Sequence, residues 1–135
     1  MKGTFEGTFD VTSWSEVPSV ELEGALSVTT ARFAQSFSGE IEASTLADMV
    51  MTYRPDGTAA FAGLHRVVGL VAGRRGSMVL WATGEFDGAE ARTAFLVVEG
   101  SGTDEWLGVA GSGDAAAGHG STGTYRLELD LPDPR

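Results

Sequence analysis

Between Gly57 and Gly88 the chain reads GTAAFAGLHRVVGLVAGRRGSMVLWATGEFDG, two long stretches of period-two alternation joined at Gly73-Arg74-Arg75-Gly76 and closed by Asp87-Gly88. Side chains of a β-strand point to alternate faces, so the pattern predicts two adjacent antiparallel strands, Thr58 to Ala72 and Arg75 to Phe86. On the first, Phe61, His65, Val67 and Val71 share one face while Ala60, Leu64, Arg66 and Val68 share the other. One imidazole therefore stands in an apolar row.

The same alternation recurs along the chain. Phe5, Phe9 and Val11 oppose Thr4, Glu6, Thr8, Asp10 and Thr12. After Val17-Pro18, the stretch from Ala25 to Phe37 predicts a strand with Phe33, Gln35 and Phe37 on one face. Leu26 and Val28 fall on the opposite parity, which predicts a bulge near Thr29-Thr30. Ile41 to Arg54 fits two periods: Ala43, Leu46, Ala47 and Val50 match a helix, and Met49, Met51 and Tyr53 match a strand. The turn Arg54-Pro55-Asp56-Gly57 favours the strand.

Glu90 to Glu99, Trp106 to Ser112 and Thr124 to Leu131 complete eight strands, the last with Tyr125, Leu127, Leu129 and Leu131 facing in. Eight short strands in 135 residues predict one all-β domain over residues 1–135. An eight-stranded antiparallel β-barrel is expected over a sandwich, because closure removes exposed edges and eight strands can enclose one small ligand. Apolar residues on both faces around Val79, Trp81, Leu96 and Val98 predict a subunit interface and hence a homo-oligomer.

Composition narrows the function. A net charge of −10 argues against nucleic-acid and anionic-membrane partners. The absence of cysteine removes thiolate chemistry and disulfides. The longest apolar run, Val67 to Gly73, is far short of a membrane span, and the N-terminal residues lack the apolar core of a signal peptide, so a cytoplasmic location is expected. The histidines His65 and His119 are too far apart for a ligand-pair motif, so no metal is expected, and no cofactor.

His65 is the sharpest candidate, since a neutral imidazole can give or take a proton near neutral pH; a hydrogen-bonded core histidine is the alternative. Gln35, between Phe33 and Phe37, could orient a ligand oxygen or tie down a bulge. Tyr53 and Tyr125 end apolar rows, where packing competes with ligand contact. The carboxylate pairs Glu40/Glu42, Glu85/Asp87 and Glu128/Asp130 read as solvated faces, and Glu99 as a strand end. His119, in Gly118-His119-Gly120-Ser121, reads as part of a loop at the lumen's lip. Gly111-Ser112-Gly113-Asp114-Ala115-Ala116 matches the glycine spacing of a dinucleotide loop without its strand–helix context, so a tight turn is expected.

The ordered segments FEGTFDVTSW (5–14), QSFSG (35–39), YRPDG (53–57), FAGLHRVVG (61–69), GRRGS (73–77), GEFDG (84–88) and GSGT (100–103) together resemble a bacterial family of unknown function, domain family 3224. The resemblance implies an eight-stranded barrel similar to the allene oxide cyclase fold, a calycin or lipocalin-type barrel whose members often associate. Similar barrels catalyse cyclisations in an apolar lumen. The family pattern usually carries glutamate where this chain has His65.

These readings predict a lumen lined by Phe33, Phe37, Met49, Met51, Phe61, Leu80, Phe95 and Tyr125, which would hold a mostly apolar small molecule. In a cofactor-free cyclase or isomerase, His65 would move a proton while Gln35 and Tyr53 orient polar groups. A non-catalytic carrier of an apolar ligand and a structural oligomer with a filled barrel are the alternatives.

Overall fold

Alternation sustained over long segments produces an all-β chain. The computed structural model describes residues 1–18, 27–118 and 122–133, and among them there is no helix, so none long and apolar enough to cross a membrane. The strands are β1 (Lys2–Pro18), β2 (Ser27–Gly39), β3 (Ile41–Tyr53), β4 (Ala59–Val71), β5 (Arg74–Phe86), β6 (Ala91–Val97), β7 (Thr103–Asp104), β8 (Ala110–Ala117) and β9 (Thr122–Asp130). Hydrogen-bonded neighbours run β4-β3-β2-β1-β9-β8-β6-β5, and β5 returns to β4. Eight antiparallel strands thus close a barrel. The two-residue β7 lies outside the ring and pairs only with Gly76 and Ser77 of β5.

Several boundaries differ from the sequence expectation. The β4–β5 connection is the two-residue turn Ala72-Gly73, with φ of 50° and 76° at these positions, and Val71 pairs directly with Arg74. Two left-handed residues match the twist of the flanking strands, so the junction is shorter than Gly73 to Gly76 and β5 begins one residue earlier than expected, at Arg74. Ile41–Tyr53 is strand throughout. No bulge interrupts β2, whose register with β3 is continuous from Ser27 to Phe37. The break lies in β1, between Val11 and Ser13. Ala25 and Leu26 lie outside the described residues.

The segment Gly111 to Ala116, expected to turn, is the body of β8, paired with β6 and β9. Its glycines reflect close approach: a Cβ on Gly113 would lie 2.2 Å from the Arg126 carbonyl oxygen and 2.4 Å from Leu127 Cδ2. Trp106, expected on a strand, sits in the turn after β7, fully buried, with its Nε1 donating to the Arg74 carbonyl at 2.8 Å.

The two ends of the barrel are unlike. At the end carrying the Ala72-Gly73 turn, Ile41, Val71, Met78, Leu127, Leu131 and Trp106 are fully buried. Trp106 lies against Gly76, where a Cβ would come within 2.4 Å of its ring. The Arg74 guanidinium donates to the carbonyls of Glu105, Leu131 and Pro132, drawing the last strand's exit over this end. Outside the barrel, Leu64, Trp81 and Leu96 are paired in register across β4, β5 and β6, and Trp81 and Leu96 are 52% and 56% exposed.

Trp106→Ala should lower unfolding free energy by about 3–5 kcal/mol in chemical denaturation, because it empties the packed end and orphans a carbonyl. Leu107→Ala, next to it and 71% exposed, should stay within about 0.5 kcal/mol of wild type.

Candidate functional site

At the opposite end, the strand termini Tyr53, Ala59, Phe86, Ala91 and Ala117 form a ring of register partners around an opening. Behind it lies a cavity of about 320 Å³. Aromatic and sulfur side chains from β1 to β4 form one side: Phe9, Phe33, Phe37, Met49, Met51 and Phe61. Small residues of β8, Ala115, Ala116 and Ala117, form the facing wall, and this size difference is what leaves the space.

Six of the eight residues expected to line the lumen by apolar contact do so: Phe33, Phe37, Met49, Met51, Phe61 and Phe95. Leu80 and Tyr125 are not on the cavity wall. Leu80 is buried in the packed interior. The Tyr125 ring stacks on Phe37 at 4.7 Å, and its Oη accepts from the Ile41 amide at 2.9 Å and lies 2.9 Å from the Ser38 carbonyl, locking β9 to the β2–β3 connection.

Gln35 and His65 both line the cavity. Thr45 donates to Gln35 Oε1 at 3.1 Å, which orients the amide and leaves its NH₂ end as the donor available to a ligand. His65 is only 3% exposed, set nearly perpendicular to Phe33 at 5.7 Å and Phe95 at 5.1 Å, and among the described residues its Nδ1 has no hydrogen-bond partner. Burial in this apolar setting lowers its pKa from 6.5 to about 4, so the ring is neutral at physiological pH.

The bulge in β1 adds two residues that alternation alone concealed. It moves Trp14 into register with Phe33, against which its indole stacks at 4.6 Å and 12°. Glu16, on the same face, accepts from Thr29 Oγ1 and Tyr53 Oη, each at 2.5 Å, and from Trp14 Nε1 at 3.1 Å. Burial pushes the Glu16 carboxyl up, but these three donors outweigh it and hold the group below its usual value. Burial, reinforced by the Glu16 carboxylate, pushes the Tyr53 phenol up to about 12. Tyr53 is therefore committed to Glu16 at the mouth and is not an available acid. The legible signal was in β1 itself, where Phe5, Phe9 and Val11 are odd-numbered and Trp14 is even.

None of the carboxylate pairs lines the cavity. Glu85 is ion-paired with Arg54 at 2.9 Å, Asp87 caps the turn before β6, and Glu40, Glu42, Glu99 and Glu128 are exposed. Among the described residues no three histidine, aspartate or glutamate side chains come together as metal ligands. His119 lies outside the described residues.

The profile of the family described as protein of unknown function (DUF3224) matches residues 5–129. The chain belongs to this family. It is similar to a solved structure from Shewanella oneidensis MR-1, a protein with unknown function from the DUF3224 family, at 25% identity and a TM-score of 0.78, over 98% of this chain and 99% of that one. A comparison with curated proteins found no match.

The low pKa of His65 has a sign that denaturation can read. The unfolded chain binds a proton near pH 6.5 that the folded chain refuses until about pH 4, so stability falls as pH drops through that window. From about pH 7 to about pH 5 the wild type should lose about 2 kcal/mol at most. The carboxylates held low, Glu16 among them, lose their contribution only below their unfolded values of 4.5 and 3.8. Urea titrations of His65→Phe should show most of the loss above pH 5 removed, and an unchanged pH slope would contradict the assignment.

Proposed function

Starting from a family membership that assigns no activity, we propose that the open lumen binds one mostly apolar small molecule and that Gln35 and His65 orient its polar group. The single observation that carries this reading is a mostly apolar cavity whose wall carries the polar side chains Gln35 and His65, with the Gln35 oxygen bonded to Thr45 and its NH₂ left without a partner among the described residues. A buried polar group left unsatisfied costs about 1–3 kcal/mol, a cost that a ligand's hydrogen bond would relieve. Aromatic and sulfur side chains on one wall offer broad, polarisable contact for a flexible or planar apolar body.

A second reading is a cofactor-free cyclase or isomerase, in keeping with the resemblance to allene oxide cyclase-like barrels. It is favoured by the same pair of polar side chains within an enclosing apolar wall. Holding a flexible substrate in a reactive fold can contribute about 7–11 kcal/mol in the best intramolecular models. A neutral His65 would then act as a hydrogen-bond partner or weak base, with catalysis resting mainly on shape.

The reading extends to self-association through the row Leu64, Trp81 and Leu96. A second copy is the proposed occupant: the row is a continuous exposed apolar patch that a two-fold interface buries against its own equivalent, without a net negative charge brought to its centre.

Two measurements check these proposals. The uncharged fluorophore phenylnaphthylamine should bind wild type saturably and lose binding in Ala117→Trp, which fills the lumen at its mouth; equal binding by the variant would place the probe elsewhere and refute the lumen reading. In analytical ultracentrifugation the wild type should sediment as an oligomer and Trp81→Glu as a monomer, whereas a monomeric wild type would refute self-association.

A further inference from the structure

We propose that the lumen selects uncharged ligands bearing one hydrogen-bonding oxygen, of the alcohol, aldehyde or ketone class, and rejects the corresponding carboxylates. This rests on the lumen being a binding site, and it adds which polar group the site accepts.

Two independent features exclude an anion, one for each orientation in which it could enter. With the head group inward, a carboxylate would meet Gln35, His65 and Thr93, and among the described residues no lysine or arginine lines the cavity. An ionised group taken out of water without a counter-charge is strongly disfavoured, whereas a hydroxyl or carbonyl needs only one or two partners. Gln35, whose oxygen is taken by Thr45, offers its NH₂ to such an oxygen, and the His65 ring lines the same wall.

With the tail inward, the head group would sit at the mouth beside Glu16. That carboxylate is fixed there by Thr29, Tyr53 and Trp14, and the last two of these line the cavity. The described arginines near this end are already engaged: Arg32 with Asp48 at 2.7 Å, Arg54 with Glu85 at 2.9 Å and Arg92 with Glu90 at 2.9 Å. Asp56 and Asp87, in the two turns of this rim, add further negative charge, their carboxylates accepting from nearby backbone amides. Among the described residues an incoming carboxylate therefore meets like charge without a free cation to offset it.

The test is displacement of phenylnaphthylamine from the full chain at about pH 8 by octanol, octanal and octanoate, with toluene as an apolar control. Octanol and octanal should displace the probe, and octanoate should be at least ~10-fold weaker than octanol. In His65→Phe the octanol-to-toluene affinity ratio should fall about 10-fold. In wild type, nitrogen NMR should show the Gln35 NH₂ and the His65 imidazole shifting with octanol and not with toluene, a readout that does not depend on the variant folding. Octanoate competing as well as octanol would overturn the selectivity while leaving the binding site standing. Imidazole resonances indifferent to octanol would overturn the role of His65, and an indifferent Gln35 NH₂ that of Gln35. Failure of the probe and of every competitor to bind would remove the underlying reading itself.

Discussion

The unequal filling of the barrel is the constraint on which the rest depends. Eight strands enclose an interior just wide enough for side chains to fill, so a ligand space exists only where the chain withholds volume. At the closed end, Trp106, Met78, Ile41 and the β9 leucines supply that volume, and Gly76 gives the indole room to pack against β5. At the open end, β8 contributes alanines opposite phenylalanines and methionines. The closed end carries the packing that stabilises the ring, and this frees the open end from being packed.

His65 lies inside this second region and violates the usual rule that a buried polar atom finds a partner. Its neighbours are the Phe33 and Phe95 rings, set nearly perpendicular to it, and nothing among the described residues answers its Nδ1. A chain selected only for stability would place leucine or phenylalanine there. Departures of this kind are expected where local stability has been exchanged for recognition. Trp14, Phe33, His65 and Phe95 form one continuous aromatic path from the mouth inward, so the polar nitrogen is reached along a surface that already favours an apolar body.

Much of this was legible because period two is unambiguous once a strand is long. The inward row of β4 and the polar pair Gln35 and His65 follow from parity alone. What parity could not supply was depth along the barrel axis, which depends on strand tilt and stagger. Leu80 pairs with His65 across β4 and β5 and shares its inward face, yet it packs into the interior while His65 meets the cavity. Tyr125 likewise points inward but spends its hydroxyl on the backbone of Ser38 and Ile41. Glycine also misled: in β8 it marks contact with β9 and not a reversal, a distinction that requires knowing the neighbour. The misplaced bulge had the largest consequence, since assigning it to β2 hid Trp14 and Glu16 from the lumen's edge.

That edge bears on whether the site performs chemistry. A general acid or base works best with a pKa near the operating pH, and neither titratable group of the cavity wall meets this: His65 sits near 4 and Tyr53 near 12. Their environments push them in opposite directions from neutrality, which in many active sites sorts an acid from a base. Here the cause differs in kind. His65 is displaced by burial alone, so a ligand that brought a hydrogen-bonding group beside it would change its surroundings. Tyr53 is displaced by burial and by a carboxylate to which it is bonded, and a ligand would have to break that bond to recruit it. Of the two, only the imidazole is free to respond to what enters, and in its neutral state its response is recognition of a polar atom more than transfer of a proton.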